Sequence, residues 1–256
     1  MPLLPSRRPT QTKVGIYVDG FNLYYGARKI NGKGTSGWRW LDIPVVASLH
    51  IDLKLWTNPK LTRFVYCTAL RNREGDPTSQ RDQEVYINAL KSKYPFMLTE
   101  LGFYVPRIKV GYLVNDNKKP TKLTADLSQE ETLKFNLSKS KDPHLSTYVR
   151  ASISSFEEKG SDVNIASHLL LDIFEKRIDA AIVISNDSDL KLPLQIARDR
   201  IHVGLINPTP RPTTAALQAN ADFGVGRHWW HKITQSEIVN SQLSQKVLDF
   251  HIPEGW

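Results

Sequence analysis

The sequence is poor in sulfur, with one cysteine, Cys67, and two methionines in 256 residues. A lone cysteine excludes an internal disulfide and any multi-thiolate zinc site within one chain, and it suits a reducing, cytoplasmic setting. Long apolar runs are missing too. No stretch of 18 apolar residues occurs, and the opening "MPLLPSRRPTQTK" has no apolar core of signal-peptide length. A soluble protein without a membrane span is therefore expected. No internal repeat is visible. Negative charge is in deficit: Lys and Arg number 34 against 26 Asp and Glu, a formal net charge of +8. That excess points to an anionic partner, nucleic acid above all.

What is present is an alternation of two periods. "VGIYV" (14–18), "RFVYCTAL" (63–70), "AAIVI" (180–184) and "HVGLI" (202–206) are short, nearly continuous apolar runs rich in β-branched residues. They read as strands buried on both faces, the habit of parallel sheets. Helical patterns lie between them, at 41–55, 79–94, 161–177 and 190–200. The pattern predicts an α/β fold with a central, mostly parallel sheet flanked by helices. Residues 107–150 break the rhythm and carry nine Lys or Arg against five Asp or Glu. They read as an insertion, either a solvated loop or a basic arm that follows a phosphate backbone. The Pro-rich "NPTPRPTT" (207–214) reads as a connection, and the tail over 232–251 as a terminal helix.

In an open parallel sheet, ligands bind beyond the carboxyl ends of the strands, where strand order reverses. Asp19 follows the first strand directly, in "YVDGFNLYYG". Asp187 and Asp189 follow the strand at 180–184, in "SNDSDL". Asp162, in "EEKGSDVNIASHLL", shares a helix face with Ile165, Ala166 and Leu169. It is expected to reach the same edge from a strand-to-helix turn after "YVRASISSF" (148–156). Each acid also has a local reading. Asp19 can form a turn with the backbone of Phe21, Asn22 can cap a helix, and Asp187 or Asp189 can cap the helix that Pro193 permits. Asp162 can serve the helix dipole. Convergence favours the joint reading, because packed carboxylates are tolerated chiefly around a divalent cation. The donors are all oxygens, which suits Mg²⁺ or Mn²⁺ and argues against Zn²⁺. Phosphodiester hydrolysis is the chemistry such a centre serves. His228 and His231, in "HWWH", lack an apparent third ligand and are assigned to packing or surface.

"YVDGFNLYYG", "EEKGSDVNIASHLLLDIF" and "VISNDSDLKLPLQIAR" closely resemble the signature segments of NYN-domain proteins of the PIN-like ribonuclease superfamily. The resemblance covers residues 13–206, with an insertion near 115–147. Residues 207–256 are then a C-terminal extension packed on the same domain. It implies a Rossmann-like PIN fold and a metal-dependent endoribonuclease acting on single-stranded or structured RNA. By position, Asp19, Asp162, Asp187 and Asp189 match the family's acids and Asn22 their companion polar residue. Around them, Ser185, Asn186 and Ser188 are expected to line the site, and Lys159, Arg71 and Arg73 to contact phosphate. Phe21, Tyr24 and Tyr25 are candidates to stack on bases. A catalytically silent RNA-binding or regulatory module with the same acidic pocket is the alternative, and a DNA nuclease or small phosphoester hydrolase a third. A homo-oligomer is compatible with the sequence.

The basic segment sets a test. If its cations contact RNA, log affinity should fall linearly with log salt, by about 0.7 per phosphate contacted on a single strand. Deleting residues 115–147 should flatten that line in a filter-binding titration. An unchanged slope would reduce the segment to a loop.

Overall fold

The structure, a computed structural model, describes residues 11–51, 53–70, 77–115, 117–120, 137–139, 148–218 and 220–256. In chain order the elements are β1 (Lys13–Asp19), α1 (Gly20–Asn31), α2 (Ile43–Ser48), β2 (Lys60–Thr68), α3 (Pro77–Lys93), β3 (Met97–Leu101) and β4 (Phe103–Tyr112). Then come β5 (Leu137–Lys139), β6 (Val149–Lys159), α4 (Ser161–Phe174), β7 (Ala180–Ile184), a one-turn 3₁₀ helix (Ser188–Leu190) and α5 (Lys191–Arg198). The chain closes with β8 (His202–Asn207), β9 (Trp229–Lys232), α6 (Gln235–Asn240), β10 (Lys246–Val247) and β11 (Phe250–His251).

Six strands form one sheet in the order β3-β2-β1-β7-β8-β9, and every pair in it is parallel. The expected α/β class holds, and the order is that of a doubly wound, Rossmann-like sheet. The chain runs outward from β1 through β2 to β3, then returns to the other side of β1 at β7. The order therefore reverses between β1 and β7. Side chains alternate across the pleat. Val14, Ile16 and Val18 join the cluster containing α1, α2 and α3, whereas Tyr17 joins the one containing Ile165, Leu169 and Leu194 of α4 and α5. Both faces are covered, which is why these strands read as unbroken apolar runs.

Contacts divide the chain into two units, residues 1–103 with 160–256 and residues 104–159. The second unit holds a three-stranded sheet ordered β4-β6-β5, with β5 and β6 antiparallel. The segment read as a loop over 107–150 thus carries strands. The expected strand before Asp162 exists as β6, but it belongs to this smaller sheet.

Two helical expectations are corrected. The helix expected over 41–55 stops at Ser48, whose hydroxyl donates to the Pro44 carbonyl at 2.7 Å. Back-bonding of that kind competes with continuation of the helix. The terminal helix expected over 232–251 covers only α6. Beyond it, Leu243 N–H donates to the Trp40 carbonyl at 2.8 Å, Leu41 bridges Gln242, and β10 pairs with β11. Long-range backbone partners replace the helical ones there. β3 and β9 were not read from the sequence.

Gly20 and Gly26 explain the spacing in "DGFNLYYG". A Cβ at Gly20 would stand 2.8 Å from the Tyr66 ring and 2.9 Å from the Cys67 carbonyl oxygen. One at Gly26 would stand 2.2 Å from the Pro208 carbonyl oxygen, so α1 and the Pro-rich connection touch backbone to backbone. Replacing a helical glycine by alanine ordinarily stabilises by roughly 0.5–1 kcal/mol. Here overpacking against backbone outweighs that gain. Gly26→Ala should destabilise the protein by about 1–3 kcal/mol in urea unfolding, and equal or higher stability would show that the connection yields.

Candidate functional site

Asp19 ends β1 at the point of strand reversal and is only 4% exposed. It caps α1: its Oδ1 accepts the Asn22 N–H at 2.8 Å. Its Oδ2 accepts the Ser185 hydroxyl at 3.0 Å, from the residue that follows β7. Ser185 Oγ in turn accepts the Asp187 N–H at 3.1 Å. Asp187 then caps the 3₁₀ turn, accepting the Asp189 N–H at 3.0 Å. A single hydrogen-bonded chain therefore links the ends of the two central strands.

Burial pushes the Asp19 carboxyl up to about 7; the Asn22 N–H opposes the rise, the nearby Asp162 charge adds to it, the Ser185 hydroxyl opposes it and Asp187 adds to it. Asp162 stands in the first turn of α4, whose buried face carries Ile165, Leu169 and Ile173. The structure thus brings Asp162 and Asp187 each into electrostatic range of Asp19. Asp189 is exposed, and it joins the group through its backbone N–H. Among the described residues the acids are not drawn into a ready-made ligand set, because the trio of ligand atoms gathered within 4.8 Å lies elsewhere.

Contrast with the other buried aspartates is informative. Asp172, fully buried, accepts from Arg63 Nε at 2.8 Å, Arg177 Nη1 at 3.0 Å and the Tyr17 hydroxyl at 2.8 Å. Asp42, 1% exposed, pairs with Lys93 and accepts the Tyr94 hydroxyl at 2.6 Å. Asp19 is different. Among the described residues no Lys or Arg lies in ion-pair range of it, and its charged neighbours are acids.

The polar residues expected to line the site divide. Asn22 offers its side-chain oxygen to the Asn186 N–H at 3.2 Å. Asn186 is consumed by structure: its side-chain amide donates to Thr209 Oγ1 and the Pro212 carbonyl, and its oxygen accepts the Thr214 N–H at 2.8 Å. It pins the Pro-rich connection beside the site instead of orienting a ligand. Ser188 is exposed. Lys159 ends β6 in the second unit and pairs with Glu157 at 3.3 Å. Arg71 and Arg73 lie outside the described residues. Phe21 is 37% exposed and packs on Tyr25 at 4.5 Å, while Tyr24 packs on Trp38.

The two histidines of "HWWH" differ in their surroundings. His228 is a packing residue, its ring accepting the Val203 N–H at 3.1 Å and bonding the Phe223 carbonyl at 2.7 Å. His231 instead meets His50 and Glu237, the gathered trio just mentioned. These partners, 181 residues before it and six residues after it, carry no shared motif. Sequence spacing offered no signal for them.

No family model matches the chain. The sequence is 25% identical over 257 aligned positions to the 6-hydroxy-3-succinoylpyridine 3-monooxygenase HspA of Pseudomonas putida (strain DSM 28022 / S16), covering 93% of this chain and 72% of that protein. The chain is thus distantly similar to an enzyme. Among solved structures, a Vibrio parahaemolyticus protein of unknown function aligns with a TM-score of 0.45 at 16% identity, over 89% of this chain and 96% of that one. None of the described helices is long and apolar enough to cross a membrane.

The raised Asp19 carboxyl fixes a pH dependence. Its folded value, about 7, lies above the ordinary 3.8, so between these the folded state holds a proton that the unfolded chain has lost. Its contribution is complete below about pH 4 and disappears as pH rises through about 7, a difference on the order of 4 kcal/mol. In chelator, Asp19→Asn should therefore gain stability relative to the parent as pH rises from 4 to 8. Parallel melting profiles for the two proteins would contradict the assignment.

Proposed function

We propose that this protein is a metal-dependent ribonuclease, hydrolysing RNA phosphodiester bonds at the carboxyl edge of its parallel sheet. The observation that carries the reading is the company Asp19 keeps. Among the described residues the other buried carboxylates, Asp42 and Asp172, are matched by Lys or Arg, and this one faces Asp162 and Asp187. A site built to attract a cation has this electrostatic character. The net charge of +8 supports an anionic substrate around it, and the resemblance to NYN-domain proteins supports RNA.

Asp19, Asp162 and Asp187 would hold Mg²⁺ or Mn²⁺, with Asp189 at the exposed side. When bound, such an ion lowers the pKa of water and polarises the phosphoryl oxygens. The chain's own residues supply position. Ser185 and the Asn22 N–H hold the Asp19 carboxylate on both oxygens, and the 3₁₀ turn holds Asp187. Asn186 ties the connection at 209–214 to the turn between Ser185 and Asp187.

The same geometry disfavours the use that doubly wound sheets often make of this crevice. Dinucleotide sites leave the N-terminus of the first helix open to pyrophosphate. Here that terminus is occupied by the Asp19 carboxylate, which would repel a phosphate lacking a cation.

A second reading rests on the similarity to the monooxygenase. On that reading the acidic crevice would orient a small aromatic substrate for insertion of one oxygen atom from O₂, with an electron donor reducing the other to water.

The test is labelled RNA incubated with the full-length protein in Mn²⁺ or in EDTA, beside Asp19→Asn and Asp187→Asn. Cleavage in Mn²⁺ should vanish in EDTA and drop by about a hundredfold or more in each variant, while salt-sensitive RNA binding persists. Binding without cleavage would establish the silent RNA-binding module instead, and preference for a DNA competitor a DNA nuclease. Oxygen consumption with 6-hydroxy-3-succinoylpyridine and an electron donor, without RNA cleavage, would favour the second reading.

A further inference from the structure

The sheet carries a second cluster with different donor chemistry. His231 lies on β9, in register with Ile206 of β8, and so shares the face that carries Ile206 and Trp229. Asp19 continues the opposite face, that of Tyr17. His50 follows α2 and Glu237 lies in the first turn of α6. Three segments distant in sequence thus bring two imidazoles and a carboxylate to one point.

The contacts are close and convergent. His50 Nε2 is 3.3 Å from Glu237 Oε1, and His231 Nε2 is 3.1 Å from Glu237 Oε2. The two imidazole rings stack with centroids 3.6 Å apart and planes 25° from parallel. Both Nε2 atoms therefore address the same carboxylate. Glu237 is itself fixed by a capping box: its Oε2 accepts the Thr234 N–H at 2.7 Å, and its own N–H donates to Thr234 Oγ1.

A hydrogen-bonded cluster does not account for His50. Its Nε2 is buried and makes no hydrogen bond of normal geometry, although a carboxylate oxygen stands beside it. Buried polar atoms are rarely left so. A cation between the nitrogen and the oxygen resolves the orphan. Bonds of about 2.0–2.2 Å at tetrahedral angles separate neighbouring ligand atoms by about 3.3–3.5 Å, which matches the His50–Glu237 distance.

We propose that His50, His231 and Glu237 bind one divalent transition-metal ion of the zinc class, at a site separate from the acidic crevice. Two imidazoles and one carboxylate form the donor set of open zinc sites, in which three protein ligands leave a fourth position to water or a small ligand. The His50, Glu237 and His231 side chains are 14%, 20% and 32% exposed, which sets the cluster close to the surface. The ion would also tie the edge strand β9 to α2 and α6. Nitrogen donors separate it from the oxygen-only set around Asp19, which favours Mg²⁺ or Mn²⁺.

The experiment uses the full chain freed of metal by chelator and titrated with Zn²⁺ alone in a calorimeter. The parent and Asp19→Asn should bind one Zn²⁺ per chain with the same Kd. His231→Gln and Glu237→Gln should raise Kd beyond the roughly 10–100-fold that outer-shell changes produce. Glu237→Gln retains a side chain that completes a capping box, so the site is lost without loss of α6. Imidazole NMR of the parent needs no variant: of the seven histidines, His50 and His231 should shift with Zn²⁺. The proposal fails if the parent binds no Zn²⁺, if both variants bind it as the parent does, or if a different pair of histidines responds.

Discussion

Moving an aspartate out of water without a cation at hand is tolerated only where other groups share its charge. Asp19 is held under that constraint. The Asn22 N–H of α1 donates to it, the Ser185 hydroxyl reaches it from just after β7, and burial still leaves its acid weaker than normal. The arrangement around it follows from this demand. Gly20 lets the helix start against β2 without a clash, and Ser185 must be small and hydroxylic to bond both Asp19 and the Asp187 backbone.

Among the described residues three aspartates are buried, and they form an internal control. Asp172 and Asp42 each cross-link distant elements through a cation and a tyrosine hydroxyl. Such pairs offset the cost of burial and fix geometry. Asp19 is equally buried, yet its charged neighbours raise the cost further. Among the described residues the protein matches two buried acids with cations and sets the third, at the point of strand reversal, beside Asp162 and Asp187.

How far the sequence revealed this depends on the range of the interactions. β1, β2, β7 and β8 were legible because a strand buried on both faces must be apolar throughout, and that signal is local. Asp19 and Asp187 were legible as neighbours because the parallel strands β1 and β7 end at one edge, whereas Asp162 comes from the first turn of α4, after a strand of the smaller sheet. β9 was not: it is a half-buried edge strand whose burial alternates while the residue types in "WWHK" do not alternate apolar with polar. The tail was misread because Leu41, Trp40 and Trp38, some two hundred residues earlier, supply the partners that end α6. Asn186 was assigned to a ligand because a polar residue beside an acid looks available, and only the fold shows its amide committed to Thr209, Pro212 and Thr214. The His50–His231–Glu237 cluster was invisible for the same reason. Its members meet only once β9 has joined the sheet.

Both clusters stand near the carboxyl ends of parallel strands, but the pleat separates them. Val18, Ile184, Ile206 and His231 lie across from one another in register. With strands about 4.8 Å apart, three spacings put β9 about 14 Å from β1, and the two sets point to opposite faces. At that distance, perturbations of one set should add to those of the other. The donors differ in kind as well. Oxygen-only coordination selects hard cations, and imidazole selects borderline ones. One sheet edge can thus offer two chemistries without competition for the same ion, because alternation of side chains assigns neighbouring residues to separate environments.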